Sequence, residues 1–375
     1  MDALVGLVAV AVLFLAFANG ANDNFKGVAT LYGSGTASYR VSLAWASITT
    51  LAGSLLAPII AAGLIRTFKA KGLVPDEIAA DPEFLGAAAL GAAATVLAAT
   101  RLGLPVSTTH ALTGGLVGSG LVAANDQVSF AVLRKNFLLP LLLSPVIAVV
   151  LVIVVYSLAR LARRATGVTP TSCACVGTEW VPVASLVSGG ARLVEGQRRL
   201  LLVTGDRAEC VRRYDGAFLG IEVQRVVDAL HFVTAGAVGF ARGLNDTPKI
   251  LAILLAVQLG WGTMPPIAGV ACAMLVGGIL GARRVAETVS KKITPLDPGQ
   301  GLVANACTAA LVISASIWTL PVSTTHVSTG GIFGIGLVRR SARWRVLATI
   351  LTAWVTTLPF AAAIGAAIYF VLQQL

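Results

Sequence analysis

Charge is scarce in this sequence. Only 12% of its 375 residues are Asp, Glu, Lys or Arg, about half of what a soluble domain usually carries. That shortage excludes an ordinary water-exposed surface and points to an integral membrane protein. A basic stretch ahead of the first apolar segment is also lacking. Asp2 stands there instead, so the first segment is expected to be retained as a helix rather than cleaved as a signal peptide. The apolar runs do not alternate with polar residues, which excludes a transmembrane β-barrel. Histidine occurs three times and cysteine five. Cys272 and Cys307 fall in apolar segments and read as small core residues. Cys173, Cys175 and Cys210 fall in a central hydrophilic stretch, three thiols without an obvious fourth metal ligand. Nothing suggests a redox or nucleotide cofactor.

What the chain does have is long charge-free runs: Val41–Ile65, Asn136–Ala159, Ile250–Ala282, Gly301–Val338 and Val346–Leu375. A membrane-spanning helix needs roughly 20 apolar residues, and two of these runs are long enough for more than one segment. Five segments are expected in each half of the chain. In the first they lie near 3–33, 41–65, 84–100, 104–122 and 136–159. In the second they lie near 226–258, 264–282, 301–317, 320–338 and 346–372.

The halves are copies of one another. Leu104–Gly118 (LPVSTTHALTGGLVG) and Leu320–Gly334 (LPVSTTHVSTGGIFG) agree at 11 of 15 positions, and Phe17–Lys26 (FANGANDNFK) and Phe240–Lys249 (FARGLNDTPK) at 6 of 10. The two motifs recur in the same order, so the chain is a duplication. Three regions follow: a first repeat over 1–159, a hydrophilic central insert over 160–225 and a second repeat over 226–375. The insert holds ten of the 28 basic residues and has strand-like stretches such as Arg199–Thr204.

With the N-terminus outside and the insert cytoplasmic, 20 Lys and Arg residues fall inside and five outside, as the positive-inside rule requires. The net charge of +11 therefore implies loop placement and not nucleic acid. Five crossings per half insert the second half from the opposite side of the membrane. The expected fold is an all-α polytopic membrane protein of two inverted-topology repeats with broken helices, plus the insert.

Two clusters carry the candidate chemistry. The first is Ser107, Thr108 and Thr109 with Ser323, Thr324 and Thr325. Pro105 and Pro321 suit a first helical turn, so these hydroxyls and the free backbone N–H groups of the helix start form an anion cradle. The second is Asn22 and Asp23 with Asn245 and Asp246. An ionisable group inside an apolar segment is costly and marks function, and Gly20 and Gly243 suggest locally unwound helix where a small cation such as Na⁺ could be held. Lys26 and Lys249, three residues beyond the aspartates, compensate charge, attract the anion, or take the place of Na⁺, which would favour H⁺ coupling. His110 and His326 serve either as a proton relay or as neutral props for the cradle. A doubled hydroxyl cradle fits a tetrahedral oxyanion. A carboxylate that touches it accepts the proton of phosphate and repels sulfate.

At these motifs the chain resembles the PiT family of inorganic phosphate transporters, whose pattern is a repeated GAND followed by a repeated P-x-S-T-T-H. The resemblance implies symport of phosphate with Na⁺ or H⁺ and a site lined by Asn22, Asp23, Ser107, Thr108, Thr109, Asn245, Asp246, Ser323, Thr324 and Thr325. Two departures stand out: Leu244 replaces the alanine of the second GAND, and Lys26 stands where many relatives have a small or polar residue. Besides phosphate and membrane lipid, a second copy of the chain is a candidate partner. The competing readings are a sulfate transporter of the same fold, an intramembrane enzyme acting on a lipid phosphate, and a passive anion channel. An enzyme site rarely needs two symmetric copies of its binding motif, and buried paired carboxylates argue against a channel because they suggest a bound coupling cation.

Overall fold

The computed structural model describes residues 3–70, 72–186, 192–214, 218–257 and 264–374. Asp2, Lys71 and residue 258 of the sixth expected segment lie outside them, as do parts of the insert. The chain divides into two compact units, Met1–Ser157 with His231–Leu375, and Leu158–Leu230.

The larger unit is helical. Its first half contains α1 (Ala3–Asp23), α2 (Tyr39–Ile60), α3 (Pro82–Arg101), α4 (Thr108–Ala124) and α5 (Leu139–Thr166). The insert contributes β1 (Ser172–Leu186), β2 (Arg192–Asp206), α6 (Arg207–Arg213) and β3 (Phe218–Glu222). The second half contains α7 (Val223–Ala256), α8 (Met264–Gly281), α9 (Pro298–Ile317), α10 (Thr324–Arg339) and α11 (Trp344–Leu372). Five major helices thus stand in each half of the described residues. Among the described residues, seven helical stretches are long and apolar enough to cross a membrane. The other three are informative. At about 1.5 Å per residue, α4 and α10 reach only about 25 Å, short of the roughly 30 Å hydrocarbon layer, and α7 carries the charges of the second motif.

The helix starts show the same repeat. Asp81 caps α3, with Pro82 following it. Asp297 caps α9 in a reciprocal arrangement with Gln300, again followed by proline. Ser107 and Ser323 cap α4 and α10 by accepting from His110 N and His326 N. The prolines of the PVSTTH motif therefore lie ahead of the N-cap and not in the first turn as expected. The serine hydroxyl satisfies an orphan N–H, which a proline two residues earlier cannot do.

Packing is between small residues, as it must be where lipid offers no hydrophobic drive for association. Gly20 of α1 faces the Met274 carbonyl of α8, and an added Cβ would stand 2.0 Å from that oxygen. Gly243 of α7 faces the Thr50 carbonyl of α2 at an equivalent 2.2 Å. These two glycines serve close packing. The unwinding expected at Gly243 is absent, and α7 runs unbroken past it. In the first half the helix does break, but after Asp23, where a 3₁₀ turn over Lys26–Val28 follows.

The contacts between halves come in exchanged pairs. α1 meets α8 and α7 meets α2; α4 meets α11 at Gly114–Leu358, and α10 meets α5 at Gly330–Pro145. Such reciprocity is what a two-fold relation between repeats produces. Large apolar side chains such as Ile59, Leu142, Leu280 and Val355 stay on the outside, where they suit lipid.

The insert is a small sheet of order β2-β1-β3. β1 pairs antiparallel with β2 from Ser172↔Asp206 to Leu186↔Arg192 and with β3 from Cys173↔Glu222 to Gly177↔Phe218. Cys173, Cys175, Cys210 and Tyr214 are buried together, and a disulfide joins Cys175 to Cys210.

Candidate anion site at the meeting of the two repeats

All fourteen candidate residues are buried, and all but the histidines join one hydrogen-bonded centre or cap its helices. Asp23 lies at the end of α1, and Asp246 lies inside α7, about two-thirds of the way along it. The Asn19 side-chain nitrogen bridges them, donating to Asp23 Oδ2 at 3.0 Å and to Asp246 Oδ2 at 3.2 Å. Thr108 of α4 donates to Asp23 Oδ2 at 3.1 Å. Asn22 donates to Thr100 Oγ1 and to the Leu104 carbonyl while its own oxygen accepts from Val106 N. The LPVSTTH segment is thereby tied to α1. Asn245 ties the second copy in the same way, donating to the Val322 carbonyl and to Thr324 Oγ1, each at 3.2 Å.

The lysines cross between the halves. Lys26 Nζ contacts Asn22 Oδ1 at 2.7 Å, Asp23 Oδ1, the Val106 carbonyl at 2.9 Å and, from the second half, Thr325 Oγ1 at 2.6 Å. Lys249 Nζ contacts the Val322 carbonyl at 2.7 Å, Asp246 Oδ1 at 3.6 Å and, from the first half, Thr109 Oγ1 at 2.9 Å. The crevice between Thr108, Thr109, Asp246 and Lys249 is too narrow for a water molecule, so this is a closed arrangement of the centre.

Sequence reasoning passed over Arg242, which is wholly buried. Its guanidinium donates to Asn19 Oδ1 at 2.6 Å and to Asn24 Oδ1 at 3.1 Å. Its Nε stands 3.7 Å from Asp246 Oδ2 without a hydrogen-bond acceptor. The signal was present, because Arg242 is the counterpart of Asn19 in the aligned motifs and lies one helical turn before Asp246. With Arg242 included, two carboxylates face three cations. The centre then carries one surplus formal positive charge, which suits an anion.

His110 and His326 lie to one side. Their rings are 4.6 Å apart, and His326 packs on Trp354 at 3.9 Å and donates from Nδ1 to the Leu141 carbonyl. They border an apolar groove of about 500 Å³ with Leu138, Pro145 and Phe333. Among the described residues neither imidazole hydrogen-bonds to an aspartate or lysine of the centre. Trp354 instead anchors the first cradle by donating to the Pro105 carbonyl at 2.9 Å.

A multi-pass helical protein whose charges and hydroxyls are gathered in its interior, from two repeats, has the construction of a membrane transporter. The chain belongs to the phosphate transporter family, whose pattern it matches over residues 19–365. That membership sets it among transporters and apart from enzymes. It is 30% identical to a Rhizobium meliloti protein named "Probable low-affinity inorganic phosphate transporter", over 98% of this chain and 96% of that one. It is 27% identical to a Mycobacterium leprae protein of the same name, over 99% of this chain and 78% of the relative. Among solved structures it is similar in fold to one titled "The sodium-dependent phosphate transporter", with a TM-score of 0.76, 21% identity and full coverage of both chains.

Proposed function

We propose that this chain imports inorganic phosphate in symport with a cation, H⁺ or Na⁺, by alternating access around the centre that the two repeats share. The observation that carries the reading is the convergence of both Asn-Asp-Lys motifs and both Ser-Thr-Thr turns on one buried cluster with surplus positive charge. Phosphate is held by the Thr108, Thr109, Thr324 and Thr325 hydroxyls, with Ser107 and Ser323 setting the helix starts. Asn22, Asp23, Asn245 and Asp246 orient it and accept its proton, and Lys26, Lys249 and Arg242 balance its charge. The exchanged helix pairs support two repeats of inverted topology, and the Lys/Arg distribution supports the N-terminus outside and the 160–225 insert cytoplasmic in the plasma membrane. Alternating access then amounts to opening one set of cross-repeat contacts while the other stays closed. The names of the relatives favour phosphate as substrate, and that of the structural neighbour favours cation coupling.

The test is uptake of labelled phosphate into proteoliposomes under a pH gradient, a Na⁺ gradient or neither, with unlabelled sulfate as competitor. Accumulation driven by at least one gradient and resistant to excess sulfate is expected. Equilibration without accumulation would make the protein a channel, and stronger accumulation of sulfate would displace phosphate as substrate.

A further inference from the structure

The surroundings of the two lysines do not look like those of an ordinary ion pair. An ammonium group has three hydrogens to donate. Lys26 Nζ nevertheless touches four oxygens: an amide oxygen, a carboxylate oxygen, a backbone carbonyl and a hydroxyl. An amide, a carboxylate, a carbonyl and a hydroxyl oxygen are also the kinds of hard ligand that take a small spherical cation. Lys249 stands in a smaller cage of three equivalent oxygens: the carbonyl of Val322 for that of Val106, Thr109 for Thr325 and, at 3.6 Å, Asp246 for Asp23, while Asn245 Oδ1, the counterpart of Asn22 Oδ1, accepts from Ser316 instead. Each cage takes its carboxylate and carbonyl from one repeat and its hydroxyl from the other. A charge at its centre therefore holds the two repeats together in the closed state.

Taking the phosphate-transport reading as its basis, we propose that Lys26 and Lys249 are tethered substitutes for alkali-metal coupling ions, so that phosphate uptake by this chain neither needs nor responds to Na⁺. The positive charge that would otherwise arrive with each transport cycle is permanently attached to the protein. Both cages are occupied by the chain's own nitrogen, at 2.6–2.9 Å from hydroxyl and carbonyl oxygens, a separation that leaves no room for a metal ion between them. The selectivity for the coupling ion is thus written into two side chains. Removing the ammonium without filling its space should uncover a Na⁺ site.

The experiment compares wild type with Lys26→Ala, Lys249→Ala and Lys26→Met. Labelled phosphate uptake into proteoliposomes is measured at a fixed pH gradient and membrane potential, in Na⁺, K⁺ or N-methylglucamine. Wild type is expected to take up phosphate equally in all three. The alanine variants, whose cages are emptied, should be stimulated by Na⁺ at least about tenfold over N-methylglucamine, equivalent to about 1.4 kcal/mol. Lys26→Met, which keeps the stem in the cage without the charge, should lose uptake and gain no response to Na⁺. In parallel, the melting temperature of the detergent-purified proteins should rise with Na⁺ for the alanine variants only, a readout that does not require transport. Na⁺ stimulation of wild type overturns the proposal while leaving phosphate transport intact. So do alanine variants that fold but show neither Na⁺-dependent uptake nor Na⁺-dependent stabilisation. Absence of phosphate uptake by wild type under every gradient is the separate failure of the underlying reading.

Discussion

The Asn-Asp-Lys motifs of the two repeats have the same spacing and are held differently. Asn22 and Asp23 end a helix, and Lys26 opens the 3₁₀ turn beyond it. Asn245, Asp246 and Lys249 sit inside the unbroken helix α7, in spite of Pro248. A proline weakens a helix interior, so the copy containing it should have been the one to break. Packing reverses the outcome. Phe25, the counterpart of Pro248, stacks on Tyr39 at 5.0 Å and meets Tyr32 edge-on. Gly27 is pressed against the backbone of Gly239, where a Cβ would stand 2.8 Å from its nitrogen. These contacts draw the chain out of the helix after Asp23. The consequence is chemical, since Lys26 comes into direct contact with its aspartate while Lys249 stays 3.6 Å from its own. In the second repeat the nearby guanidinium of Arg242 makes up part of that difference. Equivalent sequences therefore give an asymmetric centre, with the carboxylate of one half bound to an ammonium and that of the other shared between a lysine and an arginine.

Removing the carboxylates should break the comparison most severely. Asp23→Asn and Asp246→Asn are each expected to reduce gradient-driven phosphate uptake at least about 100-fold, because losing one member of a buried ion pair strands the other at a cost of about 3–5 kcal/mol. The loss should be larger for Asp23, whose partner is in direct contact. Uptake normalised to the monodisperse purified protein measures this. Near-normal uptake in both variants would remove the aspartates from the mechanism.

Arg242→Asn sharpens the comparison by giving the second repeat the residue the first has at Asn19. It removes the surplus positive charge, and truncating a buried charged partner costs about 2–5 kcal/mol. An increase of about 30-fold or more in the phosphate concentration for half-maximal uptake is expected. An unchanged value would mean that Arg242 only braces Asn19 and Asn24.

The smallest effects should come from single hydroxyls. Thr108→Val and Thr324→Val each remove one donor to a bound anion, at about 1.5–3 kcal/mol per charged hydrogen bond. Each should weaken phosphate binding about tenfold or more, read by equilibrium binding to the detergent-purified protein. Thr108→Val should be the worse, because Thr108 also donates to Asp23, whereas Thr324 accepts from the neutral amide of Asn245. Equal losses would indicate a site more symmetric than its hydrogen bonds, and no loss in either would refute the hydroxyl cradle.

Much of this protein is a property of its linear sequence. The membrane-spanning segments could be read because burial in hydrocarbon demands long apolar runs, and that demand acts on each segment separately. The duplication was equally plain, because two copies of LPVSTTH and of the Asn-Asp-Lys spacing need no structure to be compared. Intramembrane cost likewise singled out Asp23, Asp246, Lys26 and Lys249. Other features were settled only when the helices packed. Gly20 and Gly243 suggest unwinding on sequence grounds alone, and the facing carbonyls of Met274 and Thr50 decided for close approach instead. The prolines of PVSTTH were compatible with a first helical turn until the serine caps placed the helix start beyond them. Which lysine reaches which threonine, and that Arg242 enters the centre at all, depends on atoms from opposite repeats meeting across the interior. A local pattern specifies what each segment needs; only the tertiary structure specifies which other segment supplies it, because buried charges and donors must find partners wherever packing happens to bring them.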